Sequence, residues 1–146
     1  MTQKLDAGLA RLHSPALALF RIVLGLLFAL HGSMKLFGWP SGEPIPVGTW
    51  PYWWAGLIEL VTGLLIAVGL FTRIAALLAS GTMAVAYFWQ HWGIVGGELG
   101  SFWPPENGGE LPVIYCFGFL LLAATGAGAL SIDGIRGGRT SATAGT

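Results

Sequence analysis

Three basic side chains lie within a segment that otherwise has the composition of a membrane helix. The segment runs from Phe20 to Gly38, and it contains Arg21, His31 and Lys35. Charged side chains are costly at bilayer depth, so those that occur there usually face a protein interior or a functional site. These residues could hold a polar head group or transfer protons, provided that an acidic partner lies near them.

The acidic candidate is Glu59, in a second apolar segment. At a rise of about 1.5 Å per residue, Glu59 lies about 16 Å from the inner end of its span, Arg21 about 9 Å and His31 about 24 Å. We expect Arg21 to pair with Glu59, while Lys35 extends to the outer interface. Such a pair can simply fix the register of two helices. Alternatively, it can form a proton relay or a polar site for a quinone or a lipid head group.

A second polar group lies near the outer ends of the same segments. Its histidines, His31 and His91, could act as general acids and bases or as metal ligands. A metal site usually needs three or four ligands at recognisable spacing, and none is present locally, so no metal site is predicted. The remaining members of this group are Lys35, Gln90, Asn107, Glu110, Tyr115 and Cys116.

The composition is that of a membrane protein. The chain has 146 residues, of which 54% are hydrophobic and 10% charged, and its net charge is zero. A soluble domain would carry about 25% charged residues. No basic run suggests nucleic-acid binding. The single cysteine, Cys116, excludes an internal disulfide and a CxxC redox pair, and it is predicted to be a core residue.

Four apolar segments predict an all-α membrane protein, a bundle of four transmembrane helices. Each is near the ~20 residues that cross a bilayer core. We place the spans at about Pro15 to Phe37, Trp50 to Leu70, Thr72 to Gln90 and Leu111 to Leu130. Residues 1–136 form one domain, and residues 137–146 are predicted to be a flexible tail.

Local signals set the predicted helix ends. Ser14 and Pro15 are a typical helix start, with an N-cap serine before a proline in the first turn. A tight hairpin joins the second and third spans, in which Gly69 is the expected C-cap and Thr72 the expected N-cap.

The loops differ in charge and in aromatic content. Basic residues precede the first span, lie in the short hairpin and follow the fourth span, so both termini are predicted to be cytoplasmic. All seven tryptophans then fall on the outer side. They form either an outer aromatic belt or a pocket and docking surface. They are Trp39, Trp50, Trp53, Trp54, Trp89, Trp92 and Trp103.

Four motifs, in their order and spacing, resemble the DoxX family of small bacterial membrane proteins. They are RIVLGLLFALHGSMKLFG from Arg21, GLIELVTGLLIAVGLFTRIAAL from Gly56, ENGGELPVIY from Glu106 and GAGALSID from Gly126. In the last motif, Ala127 stands where the family usually has proline. The resemblance implies a four-helix bundle in the bacterial inner membrane with both termini inside. Relatives include the membrane subunit of thiosulfate:quinone oxidoreductase, which implies an association with quinones.

The leading hypothesis is a subunit of a quinone-linked redox system, with a polar site between spans one and two. Glu59 and His31 would transfer protons, and Arg21 would hold Glu59 ionised or bind a polar head group. The expected ligand-binding residues are Lys35, His91, Glu110 and Trp54. No haem, flavin or iron–sulfur motif is present, so electrons would come from other membrane or redox subunits. The alternative is a non-catalytic accessory or assembly subunit that docks through its tryptophan-rich outer loops.

Overall fold

All regular elements in the described part of the chain are helical. The structure is a computed structural model that describes residues 2–94 and 99–136, so the predicted tail at 137–146 lies outside the described residues. The helices are α1 (Thr2–Phe37), α2 (Tyr52–Val68), α3 (Thr72–Ala86), α4 (Pro104–Asn107), α5 (Glu110–Thr125) and α6 (132–136). A π-helical turn, Tyr87–His91, extends α3. The predicted all-α class is confirmed.

The first helix has the length and hydropathy of a membrane span. Over Gly8–Phe37 it is long and apolar enough to cross a bilayer. The apolar helices α2 and α5 are shorter, at 17 and 16 residues. In the described residues, α1 is thus the one helix that meets both criteria by itself.

Two predicted helix starts were wrong. Helix α1 passes through Pro15 and begins at Thr2, because the fixed φ of proline is helical and costs the helix one hydrogen bond without forcing an end. Thr72 is the first residue of α3, whose N-cap is Phe71, with a left-handed φ of 50°. A carboxylate from a distant segment supplies the capping hydrogen bonds that Thr72 was expected to make.

The helix ends in the apolar regions are set by glycine. Gly69 is the C-cap of α2, as predicted, with a φ of 72°. Helix α5 ends at Thr125, before the predicted Leu130, because Gly126 and Gly128 adopt positive φ values of 90° and 66°. Residues without a side chain reach this region of backbone space without strain. The chain beyond Gly126 is therefore free to turn back across the ends of the other helices.

Helices α1 and α2 approach so closely that their contact excludes side chains. A Cβ atom at Gly63 would lie 2.5 Å from the backbone nitrogen of Ala29, and one at Gly25 would lie 2.7 Å from that of Ala67. Gly32 faces the backbone of α2 in the same way, whereas a Cβ atom at Gly56 would lie 2.8 Å from the Cβ atom of Lys35. The prediction that small residues allow close approach of these two helices is confirmed. We call this contact the glycine seam.

The remaining helices pack around an apolar core. Helix α3 packs against α5, and α2 joins the two pairs by its contact with α3. Phe28 of α1 reaches across to α5, where its ring lies 4.7 Å from that of Phe119 and 5.4 Å from that of Tyr115, between centroids. Phe28, Phe119, Ile66 and Leu122 are all buried. We call the end of the molecule at the turn between α2 and α3, near Gly69, its inner end, and the opposite end its outer end. This core holds the inner half of the α1–α2 pair against the α3–α5 pair.

Candidate functional site

Glu59 forms an ion pair with Lys35. The Lys35 ammonium donates a hydrogen bond to Oε1 of Glu59, and the two side chains form an ion pair. Glu59 is 1% exposed, whereas the Lys35 side chain is 31% exposed. The carboxylate is thus inside the protein, and its counter-ion connects it to the outer end of α1.

The predicted pairing of Arg21 with Glu59 was wrong, and helix geometry explains why. Side chains on a helix tilt toward its N-terminus. On α1, both Arg21 and Lys35 therefore extend toward the inner end, which takes Arg21 away from Glu59 and brings Lys35 toward it. Since α2 is antiparallel to α1, Glu59 extends outward to meet Lys35. The prediction compared only the depths of the Cα atoms along the helix axes. It ignored the direction in which the side chains extend, and so it chose the wrong partner for Glu59.

Arg21 instead binds backbone carbonyls at the inner end of the molecule. It is 0% exposed, and its guanidinium donates hydrogen bonds to two groups of carbonyl oxygens. One group lies at the end of α2 and the other follows α5. The acceptors are Ile66 at 2.7 Å, Ala67 at 2.6 Å, Ala127 at 2.8 Å, Leu130 at 2.8 Å and Ala129 at 3.4 Å. Carbonyls in the last turn of a helix, such as that of Ala67, lack a helical partner, whereas that of Ile66 also accepts from the N–H of Gly69. Arg21 thus joins α1, α2 and the segment after α5.

Asp133 completes this inner junction by capping α3. Its carboxylate accepts hydrogen bonds from the backbone N–H groups of Phe71 and Thr72, both at 2.9 Å, and from the Thr72 hydroxyl at 2.8 Å. Partial burial acts to raise the pKa of Asp133, but the bonds from Thr72 and Phe71 and the charge of Arg136 outweigh it and hold that pKa below its usual value. The carboxylate is therefore ionised and capping at neutral pH.

A cavity of about 760 Å³ includes Glu59 and Lys35 in its wall. Its wall combines residues of α1 and α2, the pair of helices at which the sequence predicted a site, with residues of α3 and α5. Most of the wall is apolar, including Phe28, Ile58, Leu78 and Met83. The polar lining residues are His31, Lys35, Glu59, Thr82, Gln90, His91 and Tyr115. Its size and lining are typical of pockets for small apolar ligands.

Several polar atoms at this cavity have no partner. Oε2 of Glu59 is the single buried side-chain oxygen or nitrogen without a hydrogen bond in the described part of the chain. The Tyr115 hydroxyl, in those same residues, also makes none. The His31 ring lies edge-on to Tyr115, with centroids 5.9 Å apart. A buried polar atom without a partner costs free energy, so this arrangement fits a ligand that would supply one.

Three tryptophans surround the outer part of the cavity. Trp50, Trp54 and Trp89 line it, and the rings of Trp50 and Trp89 lie 6.3 Å apart. The Tyr52 hydroxyl donates to Oε1 of Gln90 at 2.7 Å, which links α2 to the π-helical turn. These residues form an aromatic rim. Of the two interpretations of the tryptophans, a belt or a pocket, such a rim favours the pocket.

The other predicted site residues divide between the cavity and its surroundings. His91 lines the cavity, and its Nδ1 lies 3.1 Å from the carbonyl oxygen of Asn107. Glu110 is exposed at the start of α5 and does not line the cavity. Cys116 packs beside the core, as predicted, with its sulfur 3.4 Å from Oγ of Ser80. The described residues contain no group of three or more metal-ligating side chains.

Sequence reasoning missed the α3 wall of the cavity and the role of Asp133. The wall residues, including Leu78 and Met83, have no charge or motif that distinguishes them from other apolar helix positions. For Asp133 a signal existed, since a carboxylate at a helix start is a capping residue. The donors that it caps, however, are at the start of α3, about sixty residues earlier in the chain, and local sequence patterns do not reveal such a pairing.

Comparisons with known proteins identify the family to which this chain belongs. The DoxX family model matches residues 16–92, which include Arg21, Lys35 and Glu59. A protein of Haemophilus influenzae described as uncharacterized is 42% identical over 120 residues, which cover 80% of this chain and 87% of that protein. The Escherichia coli K12 protein named "Inner membrane protein YphA" is 34% identical over 143 residues, covering 88% of this chain and 94% of that protein. No solved structure matches significantly. The chain belongs to the DoxX family of membrane-associated proteins.

Proposed function

We propose that this protein binds a quinone in the cavity and serves as a membrane subunit of a quinone-linked redox system. The cavity volume of about 760 Å³ suits a substituted ring with part of an apolar tail. Apolar walls would hold the ring and tail, while the polar groups near Glu59 would bind ring oxygens. Ile58 and Leu78 both line the cavity and are exposed on the helix surface, so an apolar ligand could enter from the bilayer.

The proposal includes a location and a topology. We place α1, α2, α3 and α5 as four spans of the bacterial inner membrane, with both termini cytoplasmic. The name of the Escherichia coli relative and the length of α1 support a membrane location. The distribution of basic residues supports the orientation. In this orientation, the Arg21 junction lies at the cytoplasmic side and the cavity opens toward the outer side.

The single observation that carries the proposal is the unpartnered Oε2 of Glu59. A buried carboxylate oxygen beside an apolar cavity is costly unless something binds it. When bound, a quinone can accept two electrons and two protons, with the electrons supplied by a partner redox subunit. Glu59 would accept or release a proton at Oε2, and His31 and Tyr115 could pass protons onward. Lys35 would balance the charge of Glu59 in place of Arg21.

Mild purification followed by mass spectrometry of bound small molecules tests the proposal. We expect about one quinone per chain, and its loss from Glu59→Gln protein that still folds. Glu110→Gln is the matched control, because it removes an exposed carboxylate outside the cavity, and it should retain the quinone. A folded wild-type protein without any quinone would contradict the proposal.

A second candidate is the accessory or assembly subunit, which exposed loop residues favour. Trp39 is 63% exposed, Trp103 64% and Val47 85%, and none of them lines the cavity. Large apolar residues exposed in loops are candidates for a protein contact. A preparation with stoichiometric protein partners and no small molecule would support this candidate over quinone binding.

A further inference from the structure

The two oxygens of the Glu59 carboxylate differ in what they can still bind. Oε1 accepts a hydrogen bond from the Lys35 ammonium, whereas Oε2 has no partner. Glu59 and Lys35 form an ion pair, and the carboxylate of such a pair accepts hydrogen bonds but cannot donate one. The vacant position at Oε2 therefore requires a donor from the ligand.

The neighbouring groups favour the same ligand chemistry. The Lys35 ammonium has three N–H donors, and one of them is engaged by Glu59. A ligand hydroxyl placed beside this pair could donate to Oε2 and accept from Lys35 at the same time. A ligand carbonyl could only accept from Lys35, and its oxygen would face the negative Oε2. Tyr115 adds a hydroxyl that can serve as donor or acceptor for a second ring oxygen.

We infer that the cavity binds the reduced, hydroxyl-bearing form of its ligand, a quinol, more tightly than the quinone. This inference rests on the proposed function and specifies which redox form the site selects. Its physical basis is that the buried polar group that lacks a partner is an acceptor. A site that hydrogen-bonds a hydroxyl rejects an analogue without it strongly, because a buried group is then left without a partner.

Binding of matched ring compounds tests the inference. The probes are decylubiquinol, decylubiquinone and the dimethyl ether of decylubiquinol, which keeps the ring and tail but cannot donate. Isothermal titration calorimetry under argon, with protein in one detergent, gives the Kd of each. We expect the quinol to bind about tenfold more tightly than either other compound, as one hydrogen bond to a charged acceptor would produce.

The Glu59→Gln variant tests the residue assigned to the selection. Glutamine presents an amide that can donate or accept, so the quinol-to-ether ratio should fall from about tenfold to below about threefold. Taking the ratio between variant and wild type in the same detergent cancels differences in micelle partitioning. Glu110→Gln should keep the wild-type ratio. If Glu59→Gln does not fold, the wild-type comparison of quinol with ether still decides the inference.

The outcomes separate the two proposals. Tighter binding of the quinol supports both. Binding of the quinone that equals or exceeds that of the quinol overturns the inference and leaves the proposed function standing. Absence of binding for all three compounds in folded wild-type protein overturns the proposed function, and the inference with it.

Discussion

The inner and outer ends of the α1–α2 pair each bury a charged group, but they satisfy it differently. At the inner end, Arg21 is fully buried and its guanidinium donates to five carbonyl oxygens. At the outer end, Glu59 is equally buried, yet one of its oxygens has no partner. The first arrangement is complete by itself and the second is not. A buried charge in a membrane segment is a site candidate when its hydrogen bonding is incomplete, and burial alone does not distinguish the two.

The largest expected effect comes from removing the inner charge. Arg21→Ala leaves partly buried carbonyls of Ala67 and of the segment after α5 without their donor, and each such group costs about 1–3 kcal/mol. We expect a loss of roughly 4 kcal/mol of stability in total, measured by thermal unfolding in detergent. Arg11→Ala is the matched control on the same helix, since Arg11 is exposed, and it should change stability by less than about 0.5 kcal/mol.

The same variant also tests whether Arg21 has a structural role only, with ligand binding confined to the Glu59 end. If Arg21 is structural, any folded Arg21→Ala protein should bind ligand as the wild type does. A stable Arg21→Ala protein that has lost its ligand would contradict the division between the two ends.

At the outer end, a smaller effect is expected from removing the lysine. Lys35→Met leaves the Glu59 carboxylate buried without its counter-ion, which costs roughly 3 kcal/mol. The double variant Lys35→Met/Glu59→Met removes both charges and should recover most of that loss, because apolar replacements of a buried ion pair are often neutral. Thermal unfolding of the four proteins of this double-mutant cycle gives the coupling.

This cycle shows whether the Lys35–Glu59 pair serves mainly to bind a ligand or mainly to stabilise the fold. Recovery in the double variant, together with loss of ligand, means that the pair serves the cavity more than the fold. A double variant that is less stable than Lys35→Met would show that the pair is as structural as the Arg21 junction.

The smallest expected effect is at the α3 cap. Asp133→Ala removes the acceptor for Phe71 and Thr72, which should cost about 1 kcal/mol at pH 7. Because the pKa of Asp133 is lower in the folded protein, its contribution is complete above the unfolded aspartate value of about 4 and is lost as pH falls through the folded value. Unfolding in detergent at pH 7 and at pH 3 measures the difference.

Wild type and Asp133→Ala should therefore converge in stability at low pH. The control is Asp6→Ala, an exposed position on α1, which should match the wild type at both pH values. A difference for Asp133→Ala that persists undiminished in acid would mean that its effect is not due to the capping carboxylate.

Much of the helical layout could be predicted from the sequence, because apolar length and glycine position are local properties. The α2 end at Gly69 and the close contact of α1 with α2 follow from single residues whose geometry is restricted. Pro15 was misjudged because proline is compatible with both a helix start and a helix interior. Helices α2 and α3 could be placed to within a few residues, whereas α1 begins at Thr2, well before the predicted Pro15.

Several predicted site residues line the same cavity, Arg21 and Glu110 do not, and the predicted partner of Glu59 was wrong. Glu59, His31, Lys35, His91 and Trp54 do line one cavity, since ionisable and aromatic residues in apolar segments tend to face an interior. The partner of Glu59 depends on the direction of side chains on two antiparallel helices, and the position of the cavity depends on how α3 and α5 pack. Neither follows from spacing along one segment.

The glycine seam has a mechanical consequence. Because backbone meets backbone along it, α1 and α2 move as one rigid body, and sliding one past the other would drive side chains into main-chain atoms. We therefore expect changes in the shape of the cavity to come from movement of α3 and α5 relative to the α1–α2 pair, which serves as a fixed frame. The Lys35–Glu59 contact, whose two residues belong to the frame, keeps its geometry throughout such motion.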